Sequence, residues 1–152
     1  MCGVPGSGKS TWIQQQLKAT SDVWCSRDQV RFSLLSDKDE YFEKENLVFE
    51  TWIKNIQDTL SNSKVENIYI DATHLTQKAR NKVLDKLNLN NVDIIPVVFD
   101  VSLDICVKQN EQRSGRAVVP RSVVHRMYYS FNKPTFHEKY KYKDIIYVNR
   151  EE

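Results

Sequence analysis

Near the start of the chain, Gly3-Val4-Pro5-Gly6-Ser7-Gly8-Lys9-Ser10-Thr11 fits the pattern G-x-x-x-x-G-K-[ST]. At this spacing Gly3, Gly6 and Gly8, with Pro5 and Ser7 between them, let consecutive backbone N–H groups turn inward around phosphate oxygens. Lys9 then holds the outer phosphates of ATP as a point charge, and Ser10 offers its hydroxyl to Mg²⁺. The helix opening through Thr11 aims its positive dipole end at the anion. A glycine-rich turn with no nucleotide is the plain alternative; both the spacing and the downstream helix argue against it.

Three further clusters follow strand-like runs. Ser26-Arg27-Asp28-Gln29-Val30-Arg31 comes directly after an apolar run, where open α/β sheets put their ligand loops. Asp28 is placed to take a proton from an attacking hydroxyl, and Arg31 shares its face if a helix begins at Asp28. An N-capping Asp among solvated arginines is the competing reading. In Ile70-Asp71-Ala72-Thr73-His74 an acid ends an apolar run, a position suited to holding a Mg²⁺-bound water. Thr73 and His74 then either donate to substrate groups or simply start a turn. Between residues 108 and 126, Lys108, Arg113, Arg116, Arg121 and Arg126 face the single acid Glu111. Arg113 and Arg116 flank Ser114-Gly115, the arrangement of a mobile lid that brings arginines onto a γ-phosphate. A solvated basic face is the bland equivalent.

Positioning these groups requires a sheet with helices on its faces. Apolar β-rich runs occur at residues 23–25, 68–70, 94–101 and 145–148, and the stretches between them carry helical spacing. That alternation predicts a mostly parallel sheet flanked by helices. Phe49, Trp52, Ile53, Ile56 and Leu60 form one amphipathic stripe, and Ala79, Val83, Leu84 and Leu87 a second. A third helix starts near Ser102, and Pro120 opens a fourth. The polar, lysine- and tyrosine-rich stretch 132–143 reads as a mobile tail. A buried strand should precede the phosphate loop, yet only Met1 and Cys2 stand before Gly3. The first central strand is therefore expected to be truncated or to lie outside this sequence.

The chain has 152 residues, 40% of them hydrophobic, which suits a single domain over residues 1–152. No apolar run is long enough to cross a bilayer and no signal segment is evident, so a cytoplasmic protein without membrane contact is expected. Cys2, Cys25 and Cys106 lack the spacing of a zinc site and read as reduced and buried. With a net charge of only +2, any nucleic-acid contact must come from a local patch.

Taken together, Gly-x-Pro-Gly-Ser-Gly-Lys-Ser-Thr, Ser-Arg-Asp-x-x-Arg, Asp-Ala-Thr-His and Asn-x-x-Arg resemble the 5′-kinase domain of polynucleotide kinases, from Gly3 to about residue 129. The resemblance implies a P-loop NTPase fold of the nucleoside/polynucleotide-kinase type with a short Arg-bearing lid. It also implies transfer of the ATP γ-phosphate to a 5′-hydroxyl end of DNA or RNA. Lys9 and Ser10 become the phosphate and Mg²⁺ residues, Asp28 the general base, Arg31 the ligand of an acceptor 3′-phosphate, and Arg113 and Arg116 the lid arginines. Arg27 touches the terminal nucleoside. Ala72 and His74 depart from the family pattern. Small-molecule kinases and zeta-type toxins share the phosphate loop and often an Asp-x-x-Arg. A small-molecule hydroxyl acceptor therefore stays open, as does a non-catalytic nucleotide-binding module.

Overall fold

Each apolar run that begins a βα unit forms a short strand, and each amphipathic stripe covers the sheet that the strands make. The computed structural model describes residues 1–150; the last two residues of the expected domain lie outside the described residues. Strands β1 (Asp22–Ser26), β2 (Asn67–Asp71), β3 (Val97–Val101) and β4 (Ile146–Arg150) alternate with helices α1 (Lys9–Gln16), α2 (Arg27–Leu34), α3 (Glu45–Leu60), α4 (Gln77–Leu84), α5 (Leu103–Glu111) and α6 (Arg121–Ser130). A single 3₁₀ turn, Gly115–Ala117, lies between α5 and α6.

β1 pairs in parallel with β2, placing Ser26 opposite Asp71, and β3 pairs in parallel with β4, placing Val101 opposite Arg150. Residues 1–3 join the two pairs. The Met1 ammonium donates to the Ile70 carbonyl at 3.0 Å, and Cys2 N–H donates to the Val97 carbonyl at 2.8 Å. Phe99 N–H returns a bond to the Cys2 carbonyl at 2.9 Å, and Cys2 forms a parallel bridge with Val98. The chain start therefore occupies the central position of a parallel array in the order β1, β2, residues 1–3, β3, β4. All strand ends that carry polar motifs meet at one edge.

Two clusters make the core. One gathers Val4, Val97, Phe99, Val101, Ile105 and Val124 under α5 and α6; the other gathers Cys25, Phe49, Trp52, Ile56, Val83 and Leu87 under α3 and α4. The run 94–101 is shorter as a strand than its composition suggests. Pro96 has no N–H for the ladder, and regular pairing begins at Val97. Residues 132–143, expected to be mobile, are tied down instead. Pro134 and Tyr142 are buried, and Glu138 forms a buried ion pair with Arg80, whose guanidinium also donates to the His74 and Asn132 carbonyls. The three cysteines are free and buried. Among the described residues no helix is long and apolar enough to cross a membrane.

Candidate functional site

The phosphate loop connects residue 3 to α1 through two left-handed glycines, Gly6 (φ 82°) and Gly8 (φ 91°), a region that a side chain would strain. Any Cβ on Gly6 would also collide with the Cys106 carbonyl, so α5 packs directly on the loop. Lys9 is buried, and its ammonium donates to the Gly3 and Val4 carbonyls, both at 2.9 Å. Burial lowers the Lys9 pKa to about 8. Asp71 acts against that shift, Arg113 adds to it, and Asp28 again opposes it. Asp71, Arg113 and Asp28, from three separate segments, thus all act on the charge at the centre of the loop.

The loop suits a Mg²⁺-bound triphosphate. Ser7 Oγ is fully buried and has no partner, a costly state for a hydroxyl that an anion's oxygens would relieve. Ser10 and Thr11 are exposed at the first turn of α1. Asp71 is buried at the end of β2 and accepts a 3.0 Å bond on Oδ2 from the Trp24 indole of β1, which leaves Oδ1 available. Ser10 and Asp71 are the side chains that would hold the metal directly and through water.

Across the edge from Lys9, Ser26 caps α2 by accepting from Gln29 N–H at 3.2 Å, so the cap is the serine and Asp28 stands within the first turn. Asp28 Oδ1 accepts from both Arg31 and the Tyr41 hydroxyl, the latter at 2.7 Å. Its Oδ2 has no protein partner among the described residues. Burial, then Asp28 itself, raises the Tyr41 pKa, which keeps the phenol a donor. One oxygen of the carboxylate is therefore fixed and the other is free.

Arg31, the acceptor 3′-phosphate ligand by resemblance, already has protein partners. It is 4% exposed and donates two 2.9 Å bonds to the Glu45 carboxylate, besides its bonds to Asp28 and to Tyr41. Burial works against its charge, but Glu45, Tyr41 and Asp28 outweigh it and hold the pKa above its ordinary value. Arg27 pairs with the same Glu45 and lies over Phe49 and Trp52, 5.3 and 5.6 Å from the ring centroids. The Nε atoms of Arg27 and Arg31 are buried without partners. Sequence reasoning missed Glu45 and Tyr41. Glu45 had a signal, because it stands on the same helical face as Phe49, Trp52 and Ile56, where an acid needs a cationic partner. Tyr41, in an irregular segment, had none.

The loop after β2 divides its roles. Thr73 accepts the Gly3 N–H at 2.9 Å through its carbonyl, which anchors the phosphate loop, and its side chain is half-buried. His74 is turned inward at φ 44°. Its Nδ1 lies 2.6 Å from the Met1 carbonyl, and its ring packs 5.9 Å from Trp52. Burial, then the nearby N-terminal ammonium, lowers its pKa to about 3. The ring is neutral with its proton on Nδ1, donating to Met1, so His74 is committed to the chain start rather than presented to an acceptor.

The two arginines expected on a lid also separate. Arg113, half-buried two residues past the end of α5, donates to the Ala117 carbonyl at 3.4 Å and stays on the Lys9 side. Arg116 reaches across and donates to the Ser36 and Asp39 carbonyls at 2.9 and 3.1 Å. Buried Asn110 fixes the far end of this loop through paired bonds with Val119. Arg150, at the end of β4, was also missed. Its guanidinium lies 2.9 to 3.2 Å from where a Cβ on Gly8 would stand, so a third arginine covers the loop from the far side of the sheet.

A parallel α/β sheet with this loop at its carboxyl edge is a P-loop kinase-like fold. A family profile described as "AAA domain" matches residues 1–134, and the chain belongs to that family. The crystal structure of a gluconokinase from Sinorhizobium meliloti 1021 has a similar fold, with a TM-score of 0.54 and 16% identity over 97% of this chain and 79% of that one.

Proposed function

We propose that the protein is an ATP-dependent kinase in which Asp28 is the general base. The carrying observation is the division of the Asp28 carboxylate. Arg31 and Tyr41 hold Oδ1, while Oδ2 is free and the group lies close enough to act on the Lys9 charge. ATP supplies the phosphoryl group, and Mg²⁺ neutralises charge on it. Asp28 Oδ2 takes the proton of an acceptor hydroxyl as the new oxygen–phosphorus bond forms and the bond to ADP breaks. Lys9 and Arg113 offset the charge that develops, and α5 together with the lid limits access of water.

For the acceptor we propose the 5′-hydroxyl end of a nucleic acid. The set Ser-Arg-Asp-x-x-Arg with Asp-Ala-Thr-His supports this, as do Arg121 and Arg126, exposed on α6. A small-molecule hydroxyl is a second reading. It is favoured by the two bonds that Arg31 already donates to Glu45, and by the fold shared with the gluconokinase structure. Transfer of labelled γ-phosphate to a 5′-hydroxyl oligonucleotide, run beside a panel of sugar acids, sugars and nucleosides, separates the two. Labelling only in the panel would overturn the nucleic-acid acceptor. Labelling in neither, with ATP bound, would overturn the kinase reading.

A further inference from the structure

The aromatic rings around Asp28 and its arginines are engaged by protein groups, with one exception. Phe49 and Trp52 are buried under the Arg27 guanidinium. Tyr41 donates its hydroxyl to Asp28 Oδ1 at 2.7 Å and carries Arg31 over its ring, 4.2 Å from the centroid. Phe32 is half-buried; its centroid lies 6.1 Å from that of Tyr41 and 5.9 Å from the Arg116 guanidinium. The exception is Phe42. It meets Tyr41 at an interplanar angle of 83°, with centroids 4.6 Å apart, yet is 64% exposed. Followed through the Tyr41 ring, it lies within about 10 Å of the Asp28 carboxylate.

The irregular segment that carries Phe42 is fixed by its own side chains. Ser36 N–H donates to Asp39 Oδ2 at 2.7 Å, and Glu40 N–H donates to Glu43 Oε2 at 2.8 Å. Lys44 pairs with Asp39 at 2.8 Å and donates to the Leu34 carbonyl at 3.1 Å, while Arg116 bonds the carbonyls of Ser36 and Asp39. A single exposed phenylalanine is ordinary on a protein surface. One held in place within reach of the proposed general base is positioned to meet the acceptor. The surrounding charge narrows what it can take. Lys44 neutralises Asp39, and the two arginines neutralise Glu45, but exposed Asp37, Glu40 and Glu43 have no ion pair among the described residues. Those acids repel a phosphodiester backbone and tolerate a neutral ring.

We propose, resting on the nucleic-acid reading above, that Phe42 is the stacking platform for the base of the acceptor's terminal nucleoside. A 5′-hydroxyl at hydrogen-bond distance from Asp28 Oδ2, the length of one nucleoside and one stacking gap together span the distance to this ring. A sugar acid offers no aromatic face and would bring a carboxylate toward Asp37, Glu40 and Glu43. Every base has a π-face, so Phe42 selects for the presence of a base and not for its identity. The phosphates that follow the terminal nucleoside leave away from residues 37–43.

The test measures transfer to 5′-hydroxyl oligonucleotides carrying either a normal base or an abasic sugar at the 5′ end, by the wild type, Phe42→Ala and Phe42→Trp. Removing the base should cost the wild type about 10- to 100-fold in kcat/KM, mainly through KM. Phe42→Ala should lose about as much on the normal oligonucleotide and less than about twofold on the abasic one, and Phe42→Trp should keep the wild-type preference. Because no phosphate contact is removed, the salt dependence of KM should be the same in Phe42→Ala. Binding of both oligonucleotides beside a non-hydrolysable ATP analogue, read by fluorescence anisotropy, should repeat the pattern in Kd. Equal losses on the two oligonucleotides, or full activity of Phe42→Ala on the normal one, would overturn the platform and leave the kinase reading intact. Transfer to sugars and to no oligonucleotide would overturn the nucleic-acid acceptor, and the platform with it.

Discussion

The two halves of the proposed site handle charge in opposite ways. On the nucleotide side Lys9 is buried with only two carbonyls for partners, and Ser7 Oγ has none. That side holds a buried ammonium and an orphaned hydroxyl that a polyphosphate would engage. On the acceptor side Arg31 is buried and Arg27 partly so, but Glu45 pairs with both, and Asp28 and Tyr41 also accept from Arg31. Burying an unpaired guanidinium is costly, so the fold supplies a counter-ion unless the ligand does. One side lacks a counter-charge until its ligand arrives; on the other the guanidinium charges are already paired with Glu45, although both Nε atoms stay without partners and one Asp28 carboxylate oxygen is free.

The strongest way to break this contrast is Asp28→Asn. If the acceptor side works through that one oxygen, kcat should fall by about 10²–10⁴ while ATP affinity changes little, as read by single-turnover transfer and ATP titration. Equal loss in both would place Asp28 with the nucleotide. Next, Arg113→Ala should lower kcat by about 10- to 100-fold. Arg116→Ala, whose bonds run to residues 36 and 39, should mainly raise the acceptor KM. Interchanged effects would assign the two lid arginines the other way.

The pH dependence of Lys9 sharpens the nucleotide side. Its pKa is lowered to about 8 in the free protein, and bound phosphates would raise it again. ATP binding should therefore take up protons above pH 8, and affinity should fall by up to about tenfold per pH unit there, measurable by calorimetry in buffers of different ionisation heat. The same shift acts on folding. Between about 8 and the ordinary value of 10.5 the unfolded chain binds more protons than the folded one, so Lys9 contributes stability that rises with pH across that window.

Glu45→Gln tests the sealed side. Affinity for an oligonucleotide bearing a 3′-phosphate should rise several-fold with a steeper salt dependence, while the fold loses about 3 kcal/mol in denaturant titration. ATP affinity should stay the same. The smallest effect is expected from Arg150→Ala, which should weaken ATP by about two- to fivefold with kcat unchanged. No change would leave Arg150 as packing against Gly8 alone.

Much of this was legible in local residue order. The phosphate loop is contiguous, and its glycines, lysine and serine act through backbone geometry that neighbours in sequence dictate. The helical stripe through Phe49, Trp52 and Ile56 and the acid ending β2 were legible for the same reason. The acceptor side was less so. Asp28 stood out as a candidate, but its partners Tyr41 and Glu45 come from a different loop and helix. His74 was chosen for its chemistry, and its inward turn onto Met1 follows from the way the chain start enters the sheet.

The order of residue types by itself determined the phosphate loop, the alternation of strands and helices, and the identity of the groups able to move a proton. Tertiary structure alone decided which of those groups remain free. A charge at the strand ends is set by the segments that pack beside it, and Glu45, Trp24 and Arg150 meet the site only once the sheet has assembled.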